Sequence, residues 1–139
     1  MTSKVVYKGN LRTECTHLNS ASKIITDAPL DNQGKGEAFS PTDTVATSLG
    51  SCMLTVMGIK AKKMGLDMKG SCVDINKIMG ENPRRILKIE ALVKLSFSTT
   101  NKNRKILEKI ATNCPVKNSL NSEMEIKEIF IWPKRSLIL

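Results

Sequence analysis

Four cysteines are the residues of this sequence most suited to chemistry, at positions 15, 52, 72 and 114. None lies close to another, and the single histidine, His17, follows Cys15 by two positions. Structural zinc sites usually draw their ligands from close-set pairs of cysteine or histidine. The spacing therefore argues against a metal site and leaves thiol chemistry as the candidate.

Cys52 and Cys114 have the most informative surroundings. Cys52 lies in the apolar run FSPTDTVATSLGSCMLTV (39–56), and Cys114 opens CPVKNSL (114–120). With Pro115 as first residue of a short helix, Cys114 becomes its N-cap, where backbone N–H groups stabilise a thiolate. Cys52 lies mid-helix and faces inward, so it needs a nearby cation to ionise. The residues alone leave two interpretations open: a two-thiol redox pair, or small side chains that fill a core.

The elements that would position these thiols form an α+β pattern. Alternating or β-branched residues predict strands, and a 3.6-residue period predicts helices. The expected strands are 3–9, 12–18, 22–28, 70–79, 85–98 and 123–132, and a loop covers 29–41. The expected helices are 41–64 and 101–113, with a short helical turn at 114–120. The order is β-β-β-α-β-β-α-β, in a single domain over 1–139. Cys15 and Cys72 fall in strands and are interpreted as packing residues.

The helix expected at 41–64 carries clear signals at both ends. Ser40 and Asp43 form a capping-box pattern around Pro41, and Gly65 follows a lysine-rich last turn. The residues expected to face inward are Val45, Leu49, Cys52, Val56 and Ile59, flanked by Ala46, Met53, Met57 and Ala61. A helix apolar on most sides is usually buried on most sides, here between a sheet and a second subunit. Gly50 weakens the helix, which predicts that a ligand or another backbone approaches there.

The bulk composition limits the function classes. Lys and Arg total 22 against 13 Asp and Glu, a net charge of +9, so a nucleic-acid-binding module is a weaker alternative. Aromatic residues make up only 4%, too few for base-stacking platforms. The N-terminal segment has no secretory h-region, and no apolar run appears long enough to span a bilayer. We expect a cytoplasmic protein with no membrane partner.

Three segments resemble the OsmC/Ohr family, the osmotically inducible and organic-hydroperoxide-resistance proteins. They are GEAFSPTDTVATSLGSCML (36–54), NCPVKNSL (113–120) and PRRILKI (83–89). The resemblance covers nearly the whole chain and implies an intertwined homodimer in which two long central helices pack together. It also implies two active sites at the dimer interface and no metal or organic cofactor.

The same resemblance implies roles for four residues. Cys52 matches the peroxidatic cysteine, and Cys114 matches the resolving cysteine that forms a disulfide with it. Arg12 matches the arginine beside the peroxidatic thiol, and Asp43 is the candidate for the acidic residue that holds this arginine. The implied reaction reduces an organic hydroperoxide, and a dithiol reductant resets the disulfide.

One position departs from the pattern of organic hydroperoxide reductases. Those proteins have glutamate directly after the proline, whereas this chain has Thr42 there and Asp43 next. A shift of one position turns a helical side chain by about 100°, which places the chain in the OsmC-like branch. The alternative function is a non-enzymatic OsmC-like protein that binds a small lipophilic ligand at the dimer interface. That alternative predicts two sulfurs too far apart to bridge.

Overall fold

The computed structural model describes residues 1–134 of the chain. These residues divide into two compact units, Met1–Val45 and the part of the chain that starts at Ala46. The boundary falls inside the long helix. The α+β class and the predicted element order are confirmed, and the single domain over 1–139 stays a prediction.

The first unit is built on a three-stranded antiparallel sheet in the order β1-β2-β3. Its strands are β1 (Ser3–Gly9), β2 (Arg12–His17) and β3 (Lys23–Asp27). The predicted turn between the first two strands has left-handed backbone at Gly9 and Asn10, with φ of 84° and 53°, which favours glycine and asparagine. After β3 the loop contains a short 3-10 turn, Leu30–Asn32, and then returns so that Phe39 bridges to Thr26.

The second unit contains a separate three-stranded sheet in the order β4-β5-β6. Its strands are β4 (Cys72–Gly80), β5 (Arg85–Lys94) and β6 (Glu125–Ile131). β4 and β5 are antiparallel, whereas β5 and β6 are parallel. A parallel pair needs a crossover connection, and two helices supply it here, α2 (Asn101–Ala111) and α3 (Pro115–Ser119).

The long helix α1 spans Pro41–Lys63 and has the predicted ends. At its start the Asp43 N–H donates to Ser40 Oγ at 3.1 Å, and the Ser40 N–H donates to Asp43 Oδ2 at 2.9 Å, which is a reciprocal capping box. At its end Leu66 N–H donates to the Ala61 carbonyl around a left-handed Gly65 (φ 69°). This is a Schellman motif, and it stops the helix where the sequence indicated.

The buried face of α1 differs from the predicted one. Its fully buried apolar residues are Ala46, Leu49, Met53, Met57 and Ala61. Val45 and Ile59, which we expected to face inward, are 39% and 56% exposed, and Cys52 lies at the border of the buried face. All five fully buried residues belong to the predicted apolar face, but the centre of the buried face is shifted, because a helix apolar on most sides does not indicate which side packs on its own sheet.

By length and composition alone, α1 also meets the criteria for a membrane-spanning helix, contrary to the expectation from the sequence. A long helix in the core of a protein meets the same criteria. Leu49, Met53 and Met57 have no exposed surface and belong to the apolar core of the second unit, which identifies α1 as a core helix.

The remainder of that core comes from β5 and from the crossover. Ile89, Ala91, Val93 and Leu95 alternate along the strand and are at most 5% exposed, as the alternation predicted. Gly50 of α1 lies against β4, where an added Cβ would be 3.1 Å from Ile75 Cδ1 and 3.4 Å from Val73 Cβ. Side chains of the sheet thus approach this glycine, rather than the backbone or ligand expected there.

Candidate functional site: a buried thiol pair and an anchored arginine

Cys52 lies in the middle of α1 and is half-buried. Its side chain packs against the apolar core, one residue before the fully buried Met53. Part of the residue is exposed, and the side chains that it packs against are apolar. These surroundings favour apolar groups near the thiol.

Cys114 lies between α2 and α3 and has no exposed surface. It is the N-cap of α3, with extended backbone (φ −68°, ψ 151°) and Pro115 in the first turn, as the sequence predicted. The proline presets the helical φ and lacks the N–H that a helix start leaves unpaired. The local sequence therefore fixes where α3 begins and places the sulfur at its first turn.

The fold places these two thiols, far apart in the sequence, in the same apolar core. They lie close enough that Cys52 raises the pKa of the Cys114 thiol, and both cysteines are free thiols. Two neighbouring thiols can form a disulfide once one of them is oxidised to sulfenic acid. The arrangement is capable of two-electron thiol chemistry without any other reactive group.

The pKa of the Cys114 thiol is raised, mainly because burial disfavours the thiolate. The hydrogen bond and the charge of Cys52 raise this pKa further. The N–H groups of Lys117 and Val116 face the sulfur and lower the pKa, but neither closes a full capping hydrogen bond in the described part of the chain. The expectation that the helix N-terminus makes Cys114 the better thiolate is therefore wrong, because α3 has only five residues and desolvation outweighs its effect.

Arg12 lies on β2 in the first unit and contacts two carboxylates. Its Nη2 is 3.3 Å from Asp27 Oδ2 and 3.0 Å from Glu37 Oε2. Asp27 is 2% exposed, and its Oδ2 also accepts the Glu37 backbone N–H at 3.1 Å. That N–H, together with Arg12, holds the pKa of Asp27 below its usual range despite burial. The pKa of Arg12 is raised, first by its hydrogen bond to Asp27 and then by its hydrogen bond to Glu37.

The sequence pointed to Asp43 as the acidic partner of Arg12. In the structure Asp43 closes the capping box of α1 with Ser40, and its role toward Arg12 stays a prediction. Sequence reasoning missed Asp27 and Glu37. The register of the first sheet could have indicated Asp27, since Arg12 and Asp27 are direct cross-strand partners on β2 and β3.

A second pair missed by sequence reasoning lies next to Cys114. Lys117 Nζ of α3 binds Glu128 Oε1 of β6. Glu128 shares the inward face of its strand with Ile126 and Phe130. A charged residue at an inward position of an alternating strand is the signal that could have found it.

A small polar cavity of about 150 Å³ lies beside Arg12 within the first unit. Its charged lining residues are Lys8, Arg12, Asp27, Lys35 and Glu37. Among residues 1–134, no three His, Cys, Asp or Glu side chains come together as a metal-binding set. The chemistry that the described residues support is therefore that of thiols and of charged hydrogen-bonding groups.

Comparison with known proteins places this arrangement in a family. The family model described as OsmC-like protein matches residues 34–128. A solved structure from Psychrobacter arcticus 273-4, a candidate osmotic-stress-induced and detoxification-response protein, is 47% identical. Its TM-score is 0.92, and the match covers 94% of this chain and 96% of that one.

More distant structures share the fold. The organic hydroperoxide resistance protein OsmC of Legionella pneumophila is 14% identical with a TM-score of 0.72, covering 92% of this chain and 93% of that one. The organic hydroperoxide resistance protein of Elizabethkingia anophelis is 14% identical with a TM-score of 0.73, covering 96% and 97%. None of the curated proteins matches the sequence. The family model and the 47% identical structure nevertheless show that this chain belongs to the OsmC-like family.

Proposed function

We propose that the protein is a cytoplasmic thiol peroxidase that reduces organic hydroperoxides through Cys52 and Cys114. The observation that carries the proposal is the proximity of the two thiols, which pack in the same apolar core so that Cys52 raises the pKa of Cys114. The alternative of a non-enzymatic lipophilic-ligand-binding protein predicts sulfurs that cannot bridge, which this proximity disfavours.

The surroundings of the two sulfurs support a division of roles. Cys114 is buried, and burial raises its pKa, so this thiol stays protonated at neutral pH. Cys52 is only half-buried. The accessible Cys52 is therefore the peroxidatic thiol and the enclosed Cys114 the resolving thiol.

The reaction then runs in three steps. The Cys52 thiolate attacks the distal oxygen of the hydroperoxide, the O–O bond breaks, and the alkoxide leaves as an alcohol after taking up a proton. Cys52 is now a sulfenic acid, and the Cys114 thiol displaces its oxygen to give a disulfide and water. A dithiol reductant returns both cysteines to thiols by exchange and becomes a disulfide itself.

The proposal includes an arginine and a second subunit. Arg12 is the cation that supports the Cys52 thiolate in the assembled site, with Asp27 and Glu37 fixing the guanidinium and Asp43 as a further acidic group of that site. Exposed apolar residues on α1, such as Ile59 at 56%, support packing against α1 of a second copy in a homodimer. The apolar setting of Cys52 favours alkyl hydroperoxides over hydrogen peroxide.

The test is a thiol count after addition of one equivalent of tert-butyl hydroperoxide. The wild type has four cysteines, and we expect it to lose two free thiols while tert-butanol forms. Cys114→Ser should lose only the Cys52 thiol, and Cys52→Ser should lose none. Cys72→Ser is the control, because it changes an exposed cysteine, and it should behave as the wild type. An unchanged count in the wild type, with no alcohol formed, contradicts the proposal.

The substrate class is tested by comparing the rates at which cumene hydroperoxide and hydrogen peroxide are consumed. Faster consumption of cumene hydroperoxide supports the proposed preference, and equal rates contradict it.

A further inference from the structure

An ion pair ties the helix behind Cys114 to the sheet. Lys117 of α3 binds Glu128 of β6, and the Glu128 side chain is only 8% exposed. Glu128 Oε2 is buried and has no hydrogen-bond partner among residues 1–134. Burying a carboxylate with one unsatisfied oxygen is costly, and buried ion pairs add little net stability. Stability alone is therefore a poor explanation for this pair.

The helix that the pair holds is too short to fix its own position. α3 has five residues, and helices of that length are unstable without tertiary contacts. Val116 and Leu120 pack against the core, but apolar contacts are not directional and permit rotation or sliding. The Lys117–Glu128 pair supplies the directional contact, since an ion pair and its hydrogen bond depend on the placement of specific atoms.

We propose that Glu128, acting through Lys117, is a positioning residue for disulfide formation between Cys114 and Cys52. The inference rests on the proposed function of this thiol pair. The Cys114 carbonyl accepts the Asn118 N–H at 3.1 Å and closes the first turn of α3 around Lys117, so a displacement of Lys117 moves this turn and the Cys114 sulfur with it.

The step that the pair serves is the second step of the reaction. Cys114 sulfur attacks the sulfur of the Cys52 sulfenic acid, the S–S bond forms, the S–O bond breaks, and the oxygen leaves as water with the thiol proton. This step needs narrow alignment of the two sulfurs, whereas attack of Cys52 on the peroxide does not involve α3. Glu128 therefore affects the second step and not the first.

The test compares Lys117→Met, Glu128→Gln and Lys117→Arg with the wild type. After rapid mixing with tert-butyl hydroperoxide, the rate of peroxide loss measures the first step. The second step is measured by trapping the Cys52 sulfenic acid and counting the free thiols over time, since disulfide formation consumes both. We expect Lys117→Met and Glu128→Gln to keep the rate of peroxide loss and to form the disulfide about tenfold more slowly. Cys52 in these variants should reach sulfinic acid at lower peroxide concentrations, and Lys117→Arg should restore disulfide formation.

A matched control lies at the neighbouring position of the same strand. Lys127 of β6 pairs with Glu90 at 4.0 Å, and its side chain is 51% exposed. Lys127→Met removes an exposed ion pair and should leave both steps at wild-type rates. Melting temperatures show whether each variant is folded. Glu128→Gln keeps the side-chain size and Lys117→Arg keeps the charge, so these two variants decide the test if Lys117→Met does not fold.

Oxidation with diamide separates this inference from the proposed function, because it forms the disulfide without a peroxide. Slower diamide-driven disulfide formation in Glu128→Gln supports the inference even if the wild type consumes no hydroperoxide. Wild-type rates of disulfide formation with both oxidants in folded Glu128→Gln and Lys117→Met overturn it. An equal slowing in Lys127→Met also overturns it, since that result indicates a general effect of lost charge.

Discussion

Cys114 has no exposed surface, whereas Cys52 is half-buried, and in the proposed reaction this difference decides which thiol meets the peroxide. Burial raises the pKa of Cys114, so the enclosed thiol stays protonated near neutral pH. At the scale of single residues, a chemically identical pair thus acquires two roles from burial alone.

Asp27 is the other residue whose surroundings have a measurable consequence. Its buried carboxylate is held ionised by the Glu37 N–H and by Arg12. A carboxylate whose pKa is lowered on folding stabilises the folded state at pH values above its unfolded pKa of about 3.9. That contribution is lost as the pH falls through the lower pKa of the folded state.

We therefore predict that Asp27→Asn lowers the melting temperature at neutral pH. The difference from the wild type should shrink as the pH falls below about 4, because Asp27 then binds a proton more readily in the unfolded state than in the folded state. The loss continues until the pH has passed the lower pKa of the folded state. Asp74→Asn is the control. The Asp74 side chain is 60% exposed and pairs with Lys94, and such exposed ion pairs contribute little to stability. Thermal melts followed by circular dichroism measure both, and an equal loss in the two variants at every pH contradicts the prediction.

At the scale of elements, the position of α1 against β4 places Cys52. Gly50 lies two residues before Cys52, and the side chains of Ile75 and Val73 fill the space where its Cβ would be. Glycine destabilises a helix by about 1 kcal/mol relative to alanine, and here it allows the helix to approach the sheet closely. The approach brings the helix within reach of the loop that carries Cys114.

We predict that Gly50→Val lowers the free energy of unfolding by about 1–3 kcal/mol, because the branched side chain overpacks the contact with β4. Gly58→Val is the matched control: it lies on the same helix, and no atom of the described chain is within 4 Å of an added Cβ there. Urea unfolding of both variants measures the difference. Equal stability of Gly50→Val and the wild type contradicts the close contact.

Element positions were largely predictable from the sequence, and side-chain partners were not. The capping box at Ser40, the stop at Gly65 and the alternation along β5 are local patterns, and they fixed α1 and the strands to within a few residues. The buried residues of α1 were among those predicted, but the centre of the buried face was misplaced, because it depends on which apolar side of the helix meets the sheet. Asp27 and Glu128 were missed because their partners, Arg12 and Lys117, are set by strand register and by the crossover.

The candidate site was predictable in the same uneven way. Cys52 and Cys114 were identified from their local contexts and from the family resemblance, and the fold brings them together. The better thiolate was assigned wrongly, because the sequence shows a helix N-terminus at Cys114 but not the depth of its burial. Burial is a property of packing between distant segments, so it becomes visible only in three dimensions.

At the scale of the whole molecule, the chain combines a net charge of +9 with many exposed apolar side chains. The apolar side chains that are more than half exposed lie on the strands, on the loop and on α1, and they include Val5, Tyr7, Ile24, Phe39 and Ile59. Large exposed apolar area usually marks an interaction surface. A second copy of the chain is the occupant that our proposal assigns to it.

We predict that the wild type elutes as a species of about twice 15.3 kDa and that Ile59→Asp shifts it toward the monomer. A carboxylate buried in an apolar interface costs several kcal/mol, which is enough to weaken association strongly. Ile131→Asp is the control, because it places the same charge at an exposed isoleucine, 49% exposed, on β6. Light scattering after size-exclusion chromatography measures the mass, and a monomeric wild type at micromolar concentration contradicts the prediction.

In the proposed reaction, the enclosure of Cys114 has a consequence for how the Cys52–Cys114 disulfide is reduced. A disulfide with one sulfur sealed behind packed side chains is open to attack from a single direction. An incoming thiol reductant must form the mixed disulfide with Cys52, and Cys114 is the leaving group. Thiols cannot reach the Cys114 sulfur of the disulfide. The packing around Cys114 therefore fixes Cys52 as the sulfur that a reductant attacks first, whichever reductant is used.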